Sequence, residues 1–221
     1  MTVMLVGFDL DLTLADTRAG IGAVYTALAA ETGVFIDVPL VTGRLGPPLE
    51  TELAHWFPAA RIPEMVRRFR GLYPELAIPA TVLMSGAAEA VAAVRASGGE
   101  VMVVTAKNEP HARATLDFLG LEIDLLVGGL WSSAKGAALR EHGAHTYVGD
   151  HTGDVDAARA AGAFSLAVAT GGFTAADLLG YGADHVLEDL TSFPSWLDGL
   201  DGLRQRRVRG ERHGVPHGEG R

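Results

Sequence analysis

The sequence predicts an α/β fold, a Rossmann-like parallel sheet with helices on both faces, plus an inserted all-helical cap subdomain. Three observations carry this. Short, continuous apolar runs recur along the chain, as expected of strands buried on both faces. Segments of helical apolar spacing separate them, the alternation that builds parallel sheets. One stretch of about 60 residues breaks the alternation, which is too long for an ordinary crossover.

The first run, Val3 to Phe8, ends at Asp9. Others follow at Val101–Val104, Ile123–Val127, Thr146–Val148 and Phe164–Val168, with a weaker one at His185–Leu187. Ala87, Val91 and Val94 recur at helical spacing after Ser85, a candidate N-cap. Pro110 to Leu119 reads as a helix closed by Gly120, and Thr152 to Ala161 as one closed by Gly162. Between Thr17 and Pro79 only helices are expected. Ile21, Val24, Tyr25 and Leu28 form an i, i+3, i+4, i+7 stripe, read as cap core. A loop with Gly43, Gly46, Pro47 and Pro48 follows, then helical stretches near Leu49–Trp56 and Pro63–Leu72. The expected division is a core of residues 1–16 and 80–201, a helical cap of 17–79, and a disordered basic tail of 202–221.

Of the 221 residues, 48% are hydrophobic, enough for a sizeable core. The net charge is −9. From Arg204 to Arg221 six arginines face two glutamates, a balance of +4, so the body to Leu203 carries −13. That acidity argues against nucleic acid as a partner. No apolar stretch reaches the roughly 18–20 residues that cross a bilayer, and the N-terminus lacks the basic leader of a signal peptide. With no cysteine there is neither a disulfide nor a thiolate metal site. A cytoplasmic protein, monomer or homodimer, is expected.

Open parallel sheets bind ligands at the carboxyl ends of their strands. Asp9-Leu10-Asp11-Leu12-Thr13 follows the first strand, Thr105 the second, Lys135 the third at some distance, and Gly149-Asp150 the fourth, with Asp154 four residues on. In extended backbone, residues i and i+2 point the same way, so Asp9 and Asp11 can reach one group. Asp154 lies one helical turn beyond Asp150. Carboxylates are hard oxygen donors, so these four acids are candidate ligands for a metal ion.

This ordered set resembles the haloacid dehalogenase superfamily, and specifically its phosphatase branch with a helical cap inserted after the first motif. The resemblance spans about Val3 to Leu200. Within that branch the chain is similar to phosphoglycolate-phosphatase-like enzymes, because Gly46-Pro47-Pro48-Leu49 resembles a cap-loop motif common there. The resemblance implies a Mg²⁺-dependent phosphatase acting on a small phosphorylated metabolite, 2-phosphoglycolate or a relative of it. It makes Asp9 the nucleophile that carries an aspartyl phosphate, and Asp11 the general acid and then base. Thr105 and the N–H groups of Leu10 and Ala106 would bind phosphate oxygens, and Lys135 would contact both phosphate and Asp9. The Asp11 carbonyl joins Asp9 and Asp150 as a metal ligand, with Asp154 there directly or through water.

Two positions depart from the family pattern. Leu12 stands where glycine is common. Ala106 stands where asparagine is common, and Lys107 after it contacts phosphate or substrate, or faces solvent. Arg18 and Arg44 are candidates for a second anionic group of the substrate, and equally read as solvated arginines. Alone, Asp9 and Asp11 would read as a turn with solvated acids, Lys135 as a surface lysine, and Asp154 as a first-turn acid favoured by the helix dipole. His213 and His217 have metal-like spacing but lie in the expected tail. The rival functions are a β-phosphoglucomutase-type sugar-phosphate mutase and a non-catalytic phospho-ligand-binding protein. A haloacid dehalogenase proper needs neither Asp11 as acid nor a metal site.

Overall fold

Strand β1 (Leu5–Phe8) is buried along its whole length. It lies at the centre of a six-stranded sheet in a computed structural model that describes residues 4–199. The remaining strands are β4 (Glu100–Val104), β5 (Leu125–Val127), β6 (Thr146–Gly149), β7 (Phe164–Val168) and β8 (His185–Leu187). Their order is β5-β4-β1-β6-β7-β8, and every pairing is parallel. After β1 the chain builds outward through β4 and β5, then returns to the other side of β1 for β6. This reversal leaves a crevice beyond the carboxyl ends of β1 and β6, where such sheets bind ligands.

Side chains alternate across the sheet and feed two cores. Val6, Phe8, Val101 and Val103 pack with α5 (Ala87–Ala96) and α6 (Glu109–Leu119). Leu5, Met102, Val104 and Tyr147 pack with α7 (Ser133–Glu141) and α8 (Thr152–Ala161). Each fully buried large apolar side chain here contributes about 1.5–3 kcal/mol relative to exposure. A short helix, α9 (Ala175–Tyr181), covers β7 and β8 through Leu178.

The segment after β1 is helical: α1 (Arg18–Thr32), α2 (Val38–Gly43), α3 (Leu49–Leu53) and α4 (Ile62–Leu76). The stripe Ile21, Val24, Tyr25 and Leu28 of α1 packs against Met65, Val66, Phe69 and Tyr73 of α4 in a separate apolar cluster. The Tyr25 and Phe69 rings are 5.0 Å apart. This helical cap enters and leaves the core through an antiparallel ribbon of β2 (Ala15–Asp16) and β3 (Val82–Leu83). Two-residue strands carry too little pattern to be read from sequence.

Other departures are local. Helix α4 continues to Leu76 through Pro74, past the expected end at Leu72. A proline in the last turn removes a single backbone bond, and Tyr73, 1% exposed, is anchored beside it. The first residue of α5 follows Gly86, with φ of 79°, rather than a Ser85 cap. Strand β5 starts at Leu125, and just before it the Asp124 carboxylate accepts the Val101 N–H at 2.8 Å. Val3, the basic tail of 202–221, and with it His213 and His217, lie outside the described residues.

Candidate active site

Asp9 follows β1 directly and is 4% exposed. One of its carboxylate oxygens accepts the Leu10 N–H at 2.7 Å, and the other lies 3.1 Å from Lys135 Nζ. Lys135 sits in the first turn of α7 and is fully buried. It also donates to Asp154 Oδ1 at 2.8 Å. Burial opposes the charge on Lys135, but the Asp154 and Asp9 carboxylates outweigh it, and the ammonium is held above its ordinary value.

Asp150 follows β6, is 2% exposed, and accepts from Thr13 Oγ1 at 3.0 Å. Gly171 packs so close that a Cβ there would overlap the Asp150 carboxylate. Asp154 opens α8, where its Oδ2 accepts the His151 N–H at 3.2 Å as half of a capping box. Both of its oxygens are thus already engaged, one by this cap and one by Lys135. The placement fits a residue that orients Lys135.

Oxygens of Asp9, Asp150 and Asp154 come within 4.8 Å of one another. Burial, then Asp154 and Asp9, push Asp150 well above its usual range. Burial pushes Asp9 to about 6, despite the opposing Lys135 charge. Three buried carboxylates against one ammonium leave two negative charges, which a divalent cation would balance. The donors are hard oxygens, the set that Mg²⁺ takes.

Asp11 is not part of this cluster and lines a cavity between core and cap. Lys107 Nζ bridges its carboxylate at 2.7 and 2.9 Å, and Thr17 Oγ1 donates to it at 2.6 Å. Lys107 therefore neither faces solvent nor stands free for phosphate: its side chain is 7% exposed and also lies 4.9 Å over the Tyr73 ring. Thr105, 1% exposed at the end of β4, accepts the Lys107 N–H at 3.3 Å, and Ala106 lines the cavity. Leu12 adopts φ of 58°, the left-handed region that glycine enters freely, and is 2% exposed.

Arg18 pairs with Asp16 at 2.6 Å and stands outside the cavity lining. Arg44 lines the cavity, with its head bound to Glu52 at 3.0 and 2.8 Å. Gly46 also lines it, and a Cβ there would stand 2.9 Å from His151 and 3.1 Å from Trp131. The glycine thus lets the cap loop close on the core. From sequence, Thr13 reads only as part of the first motif, without a role, and Tyr73, Asn108, His111, Arg70 and Gly171 are not singled out. Only Asn108 left a local signal, as the residue before Glu109-Pro110 that caps α6.

Two family descriptions match this chain: haloacid dehalogenase-like hydrolase over residues 6–159, and HAD-hydrolase-like over residues 133–193. The chain belongs to the haloacid dehalogenase-like hydrolases. The "Probable phosphatase IndB" of Dickeya dadantii is 30% identical over 210 residues, covering 85% of this chain and 90% of that protein. The "Tyrosine-protein kinase PtkA" of Mycobacterium tuberculosis is 27% identical over 217 residues, covering 91% and 71%. The haloacid dehalogenase-like family protein SP0104 from Streptococcus pneumoniae superposes with a TM-score of 0.77, at 26% identity, over 88% of this chain and 98% of that one. No helix among the described residues is long and apolar enough to cross a membrane.

Proposed function

We propose that this haloacid dehalogenase-like phosphatase hydrolyses the phosphate monoester of a small metabolite through an aspartyl phosphate on Asp9. The observation that carries the reading is the buried Asp9–Lys135–Asp154 chain standing beside Asp150 at the β1/β6 crevice. Asp9 and Asp150 would hold Mg²⁺, with the Asp11 carbonyl as a third protein ligand. The ion would neutralise phosphate charge and keep Asp9 ionised at neutral pH.

In the first step an Asp9 oxygen bonds to phosphorus as the bond to the leaving oxygen breaks, and Asp11 gives that oxygen a proton. In the second, water attacks phosphorus, Asp11 takes the water's proton, and Asp9 is regenerated as phosphate leaves. Lys135 neutralises the phosphoryl oxygens and fixes the Asp9 carboxylate. Thr105 and the Leu10 and Ala106 amides supply further donors. Lys107 and Thr17 hold Asp11 in place. The cap supplies one wall of the site, limits water and selects the leaving group.

A cavity of about 90 Å³ suits a small leaving group. The Gly46–Leu49 motif by itself would point to a 2-phosphoglycolate-like substrate, but the packing of Gly46 against His151 and Trp131 accounts for that glycine without a substrate. The test is phosphate release from a panel of phosphorylated metabolites, with Mg²⁺ and with chelator. Mg²⁺-dependent release that Asp9→Asn abolishes, in a protein with unchanged circular dichroism, is expected. Wild-type turnover by Asp9→Asn would sink the mechanism.

A further inference from the structure

Three permanent cations line the cavity between cap and core: Arg44, Arg70 and Lys107. Each is already matched. Arg44 makes a two-pronged bond to Glu52, which is 8% exposed and also accepts from Trp56 Nε1 at 2.9 Å. Arg70 pairs with Glu50 at 3.1 Å, and Lys107 bridges Asp11. Glu50, Glu52 and Asp11 line the same cavity. His111 stacks on Tyr73 with ring centres 4.5 Å apart, and burial and then Lys107 hold it below its usual range, so it adds no charge at neutral pH. Arg44 and Arg70, which take no part in the proton transfer, are therefore neutralised before substrate enters the chamber, and Lys107 is committed to Asp11.

A carboxylate brought into such a chamber loses its water without gaining an unpaired cation, which costs affinity. An uncharged, hydroxylated group escapes that cost. The chamber also holds a polar atom in want of a partner. Tyr73 is 1% exposed, lines the cavity, and its hydroxyl makes no hydrogen bond among the described residues. Leaving a buried hydroxyl unmatched is unfavourable, and a substrate hydroxyl would satisfy it. Tyr25, Phe69 and Leu45 offer apolar surface for the carbon skeleton.

We infer that the substrate is the phosphate ester of an uncharged polyol or sugar-like alcohol, selected by the internally neutralised cap cavity and the free hydroxyl of Tyr73, and not a phosphate ester that carries a carboxylate. This rests on the phosphatase reading above and narrows its substrate class. Glu52 acts as a specificity residue by cancelling Arg44, and Tyr73 as the contact for a substrate hydroxyl.

The test compares glycerol 3-phosphate with 3-phosphoglycerate, which share a carbon skeleton and differ in a hydroxymethyl against a carboxylate. With Mg²⁺ present, kcat/KM is expected to favour glycerol 3-phosphate by about tenfold or more. Glu52→Gln leaves Arg44 without its counter-charge and should move the ratio about tenfold toward 3-phosphoglycerate. Tyr73→Phe keeps the ring and should raise KM for glycerol 3-phosphate about tenfold, with a smaller effect on propyl phosphate, which has no hydroxyl to offer. Equal or faster turnover of 3-phosphoglycerate by the unaltered protein overturns the inference while the phosphatase reading stands. Mg²⁺-dependent release from no compound of the wider panel overturns the phosphatase reading, and the inference falls with it.

Discussion

Lys135→Met removes the ammonium from the centre of the carboxylate cluster while keeping most of the side-chain volume. Lys135 is fully buried and lies 3.1 Å from Asp9 and 2.8 Å from Asp154. Deleting one member of a buried ion pair typically costs about 3–5 kcal/mol, because the partner is left charged without compensation. For a domain of this size 1 kcal/mol moves Tm by roughly 2–4 °C, so a fall of about 6–20 °C is expected in chelator at pH 7.5. The loss should depend on pH in a definite direction. Asp9 is pushed up to about 6 by burial, above its unfolded value, so its ionised form is the costly one in the folded protein. That value already includes the lowering by Lys135, so without the lysine Asp9 is raised further: the deficit is small below about 6, where protonation of Asp9 discharges the cluster, and grows as the pH rises above it. Thermal unfolding followed by circular dichroism at pH 7.5 and pH 5 reads both effects. A Tm change under about 2 °C at pH 7.5, or a larger loss at pH 5, would refute the argument that Lys135 neutralises this cluster.

Three further outcomes follow from the same geometry. Mg²⁺ should raise Tm in the unaltered protein, and more at pH 8 than at pH 5.5, because the ion competes with protons for Asp9 and Asp150; a shift independent of pH would place the ion elsewhere. Gly171→Ala forces the new Cβ onto the Asp150 carboxylate and should lower Mg²⁺-dependent phosphate release by about a hundredfold, the scale seen when groups that orient metal ligands are disturbed, and wild-type kinetics would refute the packing. Leu12→Gly relieves a left-handed leucine by about 1–2 kcal/mol but loses about 1.5–3 kcal/mol of burial and adds chain entropy to the unfolded state. A net loss of about 1–2 kcal/mol is expected in denaturant unfolding, and a stabilised variant would contradict it.

Much of the core was legible because the determinants are local. A strand buried on both faces must be apolar at every position, so β1, β4, β6 and β7 stand out as continuous runs. The carboxyl ends of those runs necessarily collect at one sheet edge, so Asp9, Thr105 and Asp150 could be placed along that edge from the sequence. The i, i+3, i+4, i+7 stripe of α1 was readable for the same reason: one helix face, one buried surface. Gly120 and Gly162 marked helix ends because the left-handed turn there favours glycine.

What the sequence by itself determined is thus the alternation of strand and helix, the helical insert after β1, and the acids and lysine placed at strand ends. Only the tertiary structure decided which charges cancel. Lys107 and Asp11 are separated by 96 residues, and nothing in the spacing distinguishes a lysine that binds phosphate from one that holds a carboxylate. Arg44 and Glu52 lie eight residues apart across a loop and Arg70 and Glu50 twenty apart on different helices, so the first pairing depends on how α3 sits against the end of α2 and the second on how α3 and α4 dock. The β2–β3 ribbon, the overlap of Gly171 with Asp150 and the approach of Gly46 to His151 are contacts between distant segments. Secondary structure arises from short-range periodicity, which one sequence displays. Charge balance and close approach arise from distances between residues far apart in the chain, which only the packed fold sets.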